Sequence, residues 1–243
     1  MIHQFSRTEL LLGEAAMDRL YKARVAVFGV GGVGGFTAEA LIRAGVGSMD
    51  LFDNDTVSLT NLNRQIIALH STLGQSKVQV MRDRLLDINP EANIIPHEMF
   101  YLPENADSVD LSRYDFVVDA IDTVSAKINL AVRCEALGVP LISAMGAGNK
   151  LDPTKIVLTD IYKTEICPLA KVMRTELRKR GVKHLRVAYS TEPAVRAAEE
   201  DILRCLTEEE RAKRRGIPGS TSFVPSVMGL IIASDVVKTI TGG

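Results

Sequence analysis

The sequence predicts an α/β fold: a Rossmann-like, mostly parallel sheet with crossover helices, extended by an irregular second half with additional strands and a C-terminal helix. Three observations predict it. Residues 29–34 read GVGGVG directly after the apolar run Val25-Ala26-Val27-Phe28, a glycine turn leaving a buried strand. Short apolar runs then alternate with helix-patterned stretches up to residue 143, the rhythm of parallel strands joined by crossovers. Asp53 and the run Asp119-Ala120-Ile121-Asp122 close two further strands. Ligands of such sheets bind beyond the carboxyl ends of the strands, so these groups are expected to converge.

Taken in order, residues 8–21 carry Leu10, Leu11, Leu12, Met17 and Leu20 between charges, which suits a helical lead-in. Residues 22–28 form the first strand, and residues 34–44 a helix stopped by Gly45 and Gly47. Residues 48–52 are the second strand. A helix with a charged face spans 77–86 and ends before Asn89-Pro90. Strands follow at 93–98 and 116–119, then a helix at 123–137 and a strand at 139–143. Beyond Gly148 the alternation fades. Residues 155–160 and 187–190 read as strands, 169–180 as a basic helix, and the charged segment 199–219 as a mobile loop. The apolar stretch 227–233 runs into Ser234, Asp235 and Lys238; it reads as too short and too charged for a membrane span and as a buried C-terminal helix.

Composition narrows the class. The chain has 243 residues, 46% hydrophobic and 24% charged, enough for one α/β domain with a sizeable core. The 29 basic and 30 acidic residues balance to a net charge of -1, so a nucleic-acid surface would have to be a local patch. The three cysteines, Cys134, Cys167 and Cys205, form no CxxC pair, which argues against a disulfide framework and against a four-cysteine zinc site. The start, MIHQFSRTE, lacks the basic head and apolar stretch of a secretory signal, so a reducing cytoplasm is the expected location.

Gly29, Gly31, Gly32 and Gly34 present backbone N–H groups and a helix N-terminus to a phosphate. Asp53 stands where dinucleotide-binding units place the acidic residue that holds a ribose hydroxyl; it also suits a simple turn cap. Asp55 follows it in the same Asp53-Asn54-Asp55 turn. The cluster Asn61, Arg64, Gln65 and Lys77 suits a triphosphate better than a nicotinamide cofactor. Arg64 can bind phosphate through two N–H groups, Lys77 as a point charge, and Asn61 through its amide. Asp122 has two readings, a cap for the next helix and a hard carboxylate ligand for Mg²⁺.

These residues together resemble the adenylating superfamily related to ubiquitin-activating enzymes, which includes the activators of the molybdopterin and thiamine sulfur carriers. GVGGVG, DNDTVSLTNLNRQ, GQSK, DINP and DAIDT occur in the family's order over residues 1–150. The second half lacks the sulfur-carrier activators' paired CxxC motifs. Its stretches LDPTKIVLTDIYKTEICPLAKVMRTELRKRGV and VAYSTEP instead resemble the branch of tRNA threonylcarbamoyladenosine dehydratases. The resemblance implies one adenylating domain over 1–243, with an ATP-binding part at 1–150 and a substrate-facing part at 151–243. It implies ATP and Mg²⁺ as cofactors, Asp53 on the ribose, Arg64 and Lys77 on the triphosphate as catalytic groups, and Asp122 as both catalytic group and metal ligand. It implies a homodimer in which Arg7 from one protomer's N-terminal region reaches the other's triphosphate. The implied reaction is ligase-like: AMP is transferred to the threonyl carboxylate of the modified tRNA base, and the neighbouring carbamoyl group closes a ring. The alternative is adenylation of a ubiquitin-like sulfur carrier's C-terminal glycine, and a sulfur-transfer or cysteine-desulfurase partner goes with the wider family.

Two features stay open on the residues alone. Cys167 and Cys205 are either acyl acceptors or small buried hydrophobes. The cations Lys171, Arg174, Arg178, Lys179, Arg180, Lys183, His184 and Arg186, with Arg211, Lys213, Arg214 and Arg215, form either a tRNA surface or an ordinary solvated face.

Overall fold

The computed structural model describes residues 2–195 and 218–242. Apart from Pro218 and Gly219, the segment 199–219 expected as a loop lies outside them, as do Cys205, Arg211, Lys213, Arg214 and Arg215. One seven-stranded sheet organises the described chain. Its strands are β1 (Arg24–Phe28), β2 (Ser48–Phe52), β3 (Asn93–His97), β4 (Phe116–Asp119), β5 (Leu141–Ala144), β6 (Ile156–Asp160) and β7 (Arg186–Ser190), in the order β3-β2-β1-β4-β5-β7-β6. All neighbours are parallel except β6, which runs antiparallel to β7 at the edge.

The helices among the described residues are α1 (Ser6–Leu12), α2 (Glu14–Lys22), α3 (Gly34–Ala44), α4 (Lys77–Ile88), α5 (Val124–Leu137), α6 (Pro168–Lys179) and α7 (Phe223–Thr241). β1 alternates its side chains across the sheet, as a pleated strand must. Val25 and Val27 enter the cluster with Ala38, Leu41, Met81 and Met228 of α3, α4 and α7. Ala26 and Phe28 enter the opposite cluster with Ala126 and Leu130 of α5. β5 and β7 meet α6 through Met173, Leu177 and Val187. Both faces are therefore covered, which is why β1 and β4 are almost continuously apolar.

Two expectations need correction. The lead-in is two helices rather than one, broken at Gly13, whose φ of 79° cannot continue a helix. Gly47 is not a helix stop: its backbone passes so close to Tyr21 that a Cβ there would lie 1.8 Å from the Tyr21 carbonyl oxygen. The second half adds the expected strands and basic helix, with α6 carrying the chain to β7, which pairs parallel with β5.

The C-terminal helix is also longer than the apolar stretch predicts. α7 has 19 residues with a mean hydropathy of 1.6, long and apolar enough by those measures to cross a membrane. Here one side of it is spent on the core: Val224, Pro225, Met228, Gly229, Ile232, Ala233 and Val236 are buried. Gly229 lets it press on α3, since a Cβ there would lie 2.4 Å from the Val33 carbonyl oxygen. Thr37 Oγ1 donates to the Gly229 carbonyl across the contact (3.0 Å).

Candidate functional site

The glycine turn fixes the site. Gly29 has φ 89°, and a Cβ on it would lie 2.6 Å from the Ala120 carbonyl oxygen. A Cβ on Gly34 would lie 1.8 Å from the Gly29 carbonyl oxygen, so this glycine allows α3 to start directly beneath the turn. Gly31 and Gly32 have no such backbone clash: Gly31 lies beside the Gln65 amide, and Gly32 packs against the side chains of Pro225 and Arg64. The result is a helix N-terminus under a bare backbone, the arrangement that accepts phosphate.

A cavity of about 560 Å³ opens above this turn, at the carboxyl ends of β1, β2, β4 and β5. Of the predicted residues, Gly29, Gly31, Gly32, Asp53, Asp55, Asn61, Arg64, Gln65, Lys77 and Asp122 line it. Gly34 does not, and acts only through the turn. Arg7 does not either; it is exposed on α1.

Asp53 serves as an organiser. Its Oδ2 accepts from the Val30 N–H (2.7 Å) and its Oδ1 from the Asp55 N–H (2.9 Å). The turn-cap reading therefore holds, and the residue also lines the cavity. Lys77 opens α4 and is buried, its ammonium paired with the exposed Asp55 carboxylate (2.7 Å). Asn61 is fixed by the Ser58 N–H, which donates to its Oδ1 (3.1 Å). Arg64 donates to the Thr60 carbonyl and to Asn63 Oδ1, both at 2.9 Å. Burial lowers the pKa of its guanidinium, because desolvation disfavours the charged form. Gln65 is buried beside Gly31 with its Oε1 unpartnered among the described residues.

Asp122 is exposed. It does not cap α5: the N-cap position belongs to Thr123, whose Oγ1 donates to Asp122 Oδ1 at a long 3.4 Å. Its position is set by the fully buried pair Lys127–Asp119 (2.9 Å). Asp119 also accepts from Ser143 Oγ (2.5 Å) and the Ile121 N–H (3.2 Å), and Lys127 donates to the Ile121 carbonyl (3.1 Å). Among the described residues no group of three or more His, Cys, Asp or Glu surrounds a metal position. A lone carboxylate is what Mg²⁺ needs when phosphates and water supply the remaining ligands.

Sequence reasoning missed an apolar flank made of Phe52, Met99, Phe100, Tyr101 and Ile121. Phe52 stacks between Phe28 and His97, with ring centroids 4.3 Å apart on each side. The three rings end β1, β2 and β3, so the aromatic run at the strand ends was the available signal. A second missed group, Ala147, Gly148, Pro218, Ser220 and Pro225, comes from distant parts of the chain.

The described part of the basic segment lies away from the cavity. β7 runs parallel to β5, so Arg186, which begins β7, lies at the end of the sheet opposite the cavity. The last turn of α6 leads into that same end. Lys179 and Arg180 are paired with Glu176 (2.7 and 2.6 Å) and Arg186 with Asp235 (2.7 Å). Arg174 is turned inward to the Thr164 carbonyl (2.7 Å), and Arg178 lies over the Tyr162 ring. Lys171, Lys183 and His184 remain exposed. Both described thiols are buried. Cys167 is buried in the α6 core beside Gly146, and burial pushes Cys134 up to about 12.

Comparison with known proteins places this geometry. The model of the ThiF family matches residues 5–243. A tRNA threonylcarbamoyladenosine dehydratase from Bacillus subtilis is 47% identical over 240 residues, covering 98% of this chain and 94% of that protein. The structure of Escherichia coli tRNA N6-threonylcarbamoyladenosine dehydratase, TcdA, in complex with AMP superposes with a TM-score of 0.86 at 33% identity, covering 98% of this chain and 94% of that one. Its complex with ATP gives 0.84 at 34%, with the same coverage. The molybdopterin-synthase adenylyltransferase of Escherichia coli is 38% identical over 143 residues, 58% of this chain and 56% of that protein.

Proposed function

Because this chain belongs to the ThiF family, we propose that it is an ATP-dependent tRNA threonylcarbamoyladenosine dehydratase, acting on the modified adenosine next to the anticodon. The observation that carries this reading is the convergence of the glycine turn, Arg64, Lys77 and Asp122 on one cavity. A nucleotide sensor has no use for a triphosphate clamp. A carboxylate-activating enzyme does.

The chemistry follows in two steps. The threonyl carboxylate attacks the α-phosphorus of ATP, the bond to the bridging oxygen breaks, and pyrophosphate leaves. The carbamoyl group then attacks the acyl carbon of the mixed anhydride. AMP leaves with the bonding electrons, the attacking group loses its proton, and the nucleoside has lost one water. Ring closure is intramolecular, so positioning supplies much of the rate and no protein nucleophile is required. Buried Cys167 is not needed, nor is a sulfur-transfer partner, since the balance contains no sulfur.

The glycine turn cradles the phosphates while Arg64 and Lys77 neutralise the charge that builds on them, a preorganised electrostatic role. In the free protein Asp55 holds Lys77 in place (2.7 Å) until a phosphate competes for it. Asp53 holds the turn and presents its carboxylate to the ribose. Asp122 would hold Mg²⁺, which would supply positive charge beside the phosphates. The working form is a cytoplasmic homodimer. Arg7, exposed and outside its own protomer's cavity, is offered to the partner subunit's triphosphate.

The test is to incubate the protein with ATP, Mg²⁺ and tRNA carrying threonylcarbamoyladenosine, then digest and weigh the nucleosides. Loss of one water from that nucleoside is the expected result. An unchanged mass, with pyrophosphate exchange only when a sulfur-carrier protein is added, would move the assignment to a carrier-activating enzyme.

A further inference from the structure

The cavity has a second wall, and one residue ties it together. Asn149 adopts a left-handed backbone with φ 59°, which asparagine tolerates better than most side chains. Its N–H donates to the Gly219 carbonyl (2.7 Å), and the Gly219 N–H donates back to its Oδ1 (2.7 Å). Its own carbonyl accepts from the Val195 N–H (2.8 Å). Gly148 packs so tightly on Pro218 that a Cβ there would lie 2.6 Å from the Pro218 Cβ. From the other side Asn63, next to Arg64, donates through Nδ2 to the Ser220 carbonyl (3.0 Å). Gly148, Pro218 and Ser220 all face the cavity.

This wall stands beyond the carboxyl end of β5, across from Asp53 and Lys77. In a doubly wound sheet the nucleotide occupies the half built on the first three strands. Asp122 after β4 borders that half, and the side beyond β5 is left for the second reactant. We infer that Asn149 is a positioning residue for the modified tRNA base: it fixes the Gly148–Ser220 wall against which the threonylcarbamoyl group is held, carboxylate toward the α-phosphate, and it takes no part in binding ATP. The inference rests on the dehydratase reading.

Two substitutions separate the amide from the backbone. Asn149→Gly keeps the left-handed conformation and both main-chain hydrogen bonds but removes Oδ1; Asn149→Asp keeps an acceptor for the Gly219 N–H. In the full-length protein, Asn149→Gly is expected to lower kcat/KM for the modified tRNA about tenfold, the size of one lost hydrogen bond, with ATP affinity measured without tRNA held within about twofold. Asn149→Asp is expected to recover activity to within about threefold of the parent. Melting curves accompany both variants. Should Asn149→Gly not fold, Gly148→Ala pushes on the same wall through Pro218 and must give the same split between tRNA and ATP. Equal losses for ATP and tRNA overturn the inference. So does an unchanged kcat/KM, or an Asn149→Asp variant no better than Asn149→Gly. A parent protein that fails to dehydrate the base overturns the dehydratase reading instead, and takes this one with it.

Discussion

The two sides of the cavity are built differently. The nucleotide side is made of short motifs, each complete within a few residues: the glycine turn, Asp53 with Asp55, the Asn61–Gln65 stretch and the start of α4. The other side is assembled from residues 147–149, 195 and 218–220, joined by single hydrogen bonds across wide sequence gaps. The contrast teaches where each half of the chemistry can vary. A phosphate clamp is constrained residue by residue, because backbone N–H groups and charges must meet fixed oxygens. A wall joined by single hydrogen bonds needs only its hinge points held, so its facing residues are freer to vary.

Substitutions can break this comparison at its seam or sharpen it on either side. Lys127 stands at the seam, bridging Asp119 of β4 to the turn that ends in Asp122, with Ser143 of β5 on the same carboxylate. Lys127→Met strands a buried carboxylate and is expected to cost about 3–5 kcal/mol of stability, read by denaturant unfolding. A loss below about 1 kcal/mol would mean that Asp119 finds other partners.

On the nucleotide side alone, Arg64→Ala is expected to lower kcat/KM about a hundredfold, as losing one charge-stabilising donor does, while the melting temperature stays put. Retained activity would remove Arg64 from the clamp. A smaller effect is expected behind the glycine turn, where Glu39 of α3 accepts from Arg84 (2.5 Å) and Arg43 (2.9 Å). Burial alone raises the Glu39 pKa, but the hydrogen bonds from Arg84 and Arg43 outweigh it and hold the carboxyl below the ordinary glutamate value. Its contribution is then full above the unfolded-state pKa and fades as pH falls through the folded-state one. Glu39→Gln should cost about 1 kcal/mol at neutral pH and flatten the acid side of the stability profile.

The smallest effect is expected from Arg178→Glu on the far end of α6. It should change tRNA affinity by less than about threefold, because a cation that meets no phosphate releases no counterion. A steep loss, with a shallower salt dependence, would put the tRNA across the amino end of the sheet.

The fold and the nucleotide side were legible because their information is local. β1 followed by GVGGVG, and strands that close on Asp53 and Asp119, are patterns within single elements, and strand ends in a parallel sheet must converge. The Phe28-Phe52-His97 stack was less so, since it needs the register of three strands before the rings line up. The Asn149 wall was out of reach, because nothing near residue 149 announces a partner 70 positions away. The basic helix left two readings open for a different reason. Glu176 stands three and four positions before Lys179 and Arg180, a spacing that pairs charges on a helix and was there to be read. What could not be read was the direction of α6, which carries its last turn away from the reaction.

The seat of α7 has a consequence for how the protein is made. Pro225 forms part of the cavity wall beside Gly32, and Gly229 is pressed against the carbonyl of Val33. A chain leaves the ribosome from its amino end, so the phosphate turn emerges long before the helix that backs it. Through most of its synthesis the nascent protein carries the complete set of phosphate-binding motifs without the surface that braces them. A fragment that stops short of residue 223 would carry those motifs without their brace.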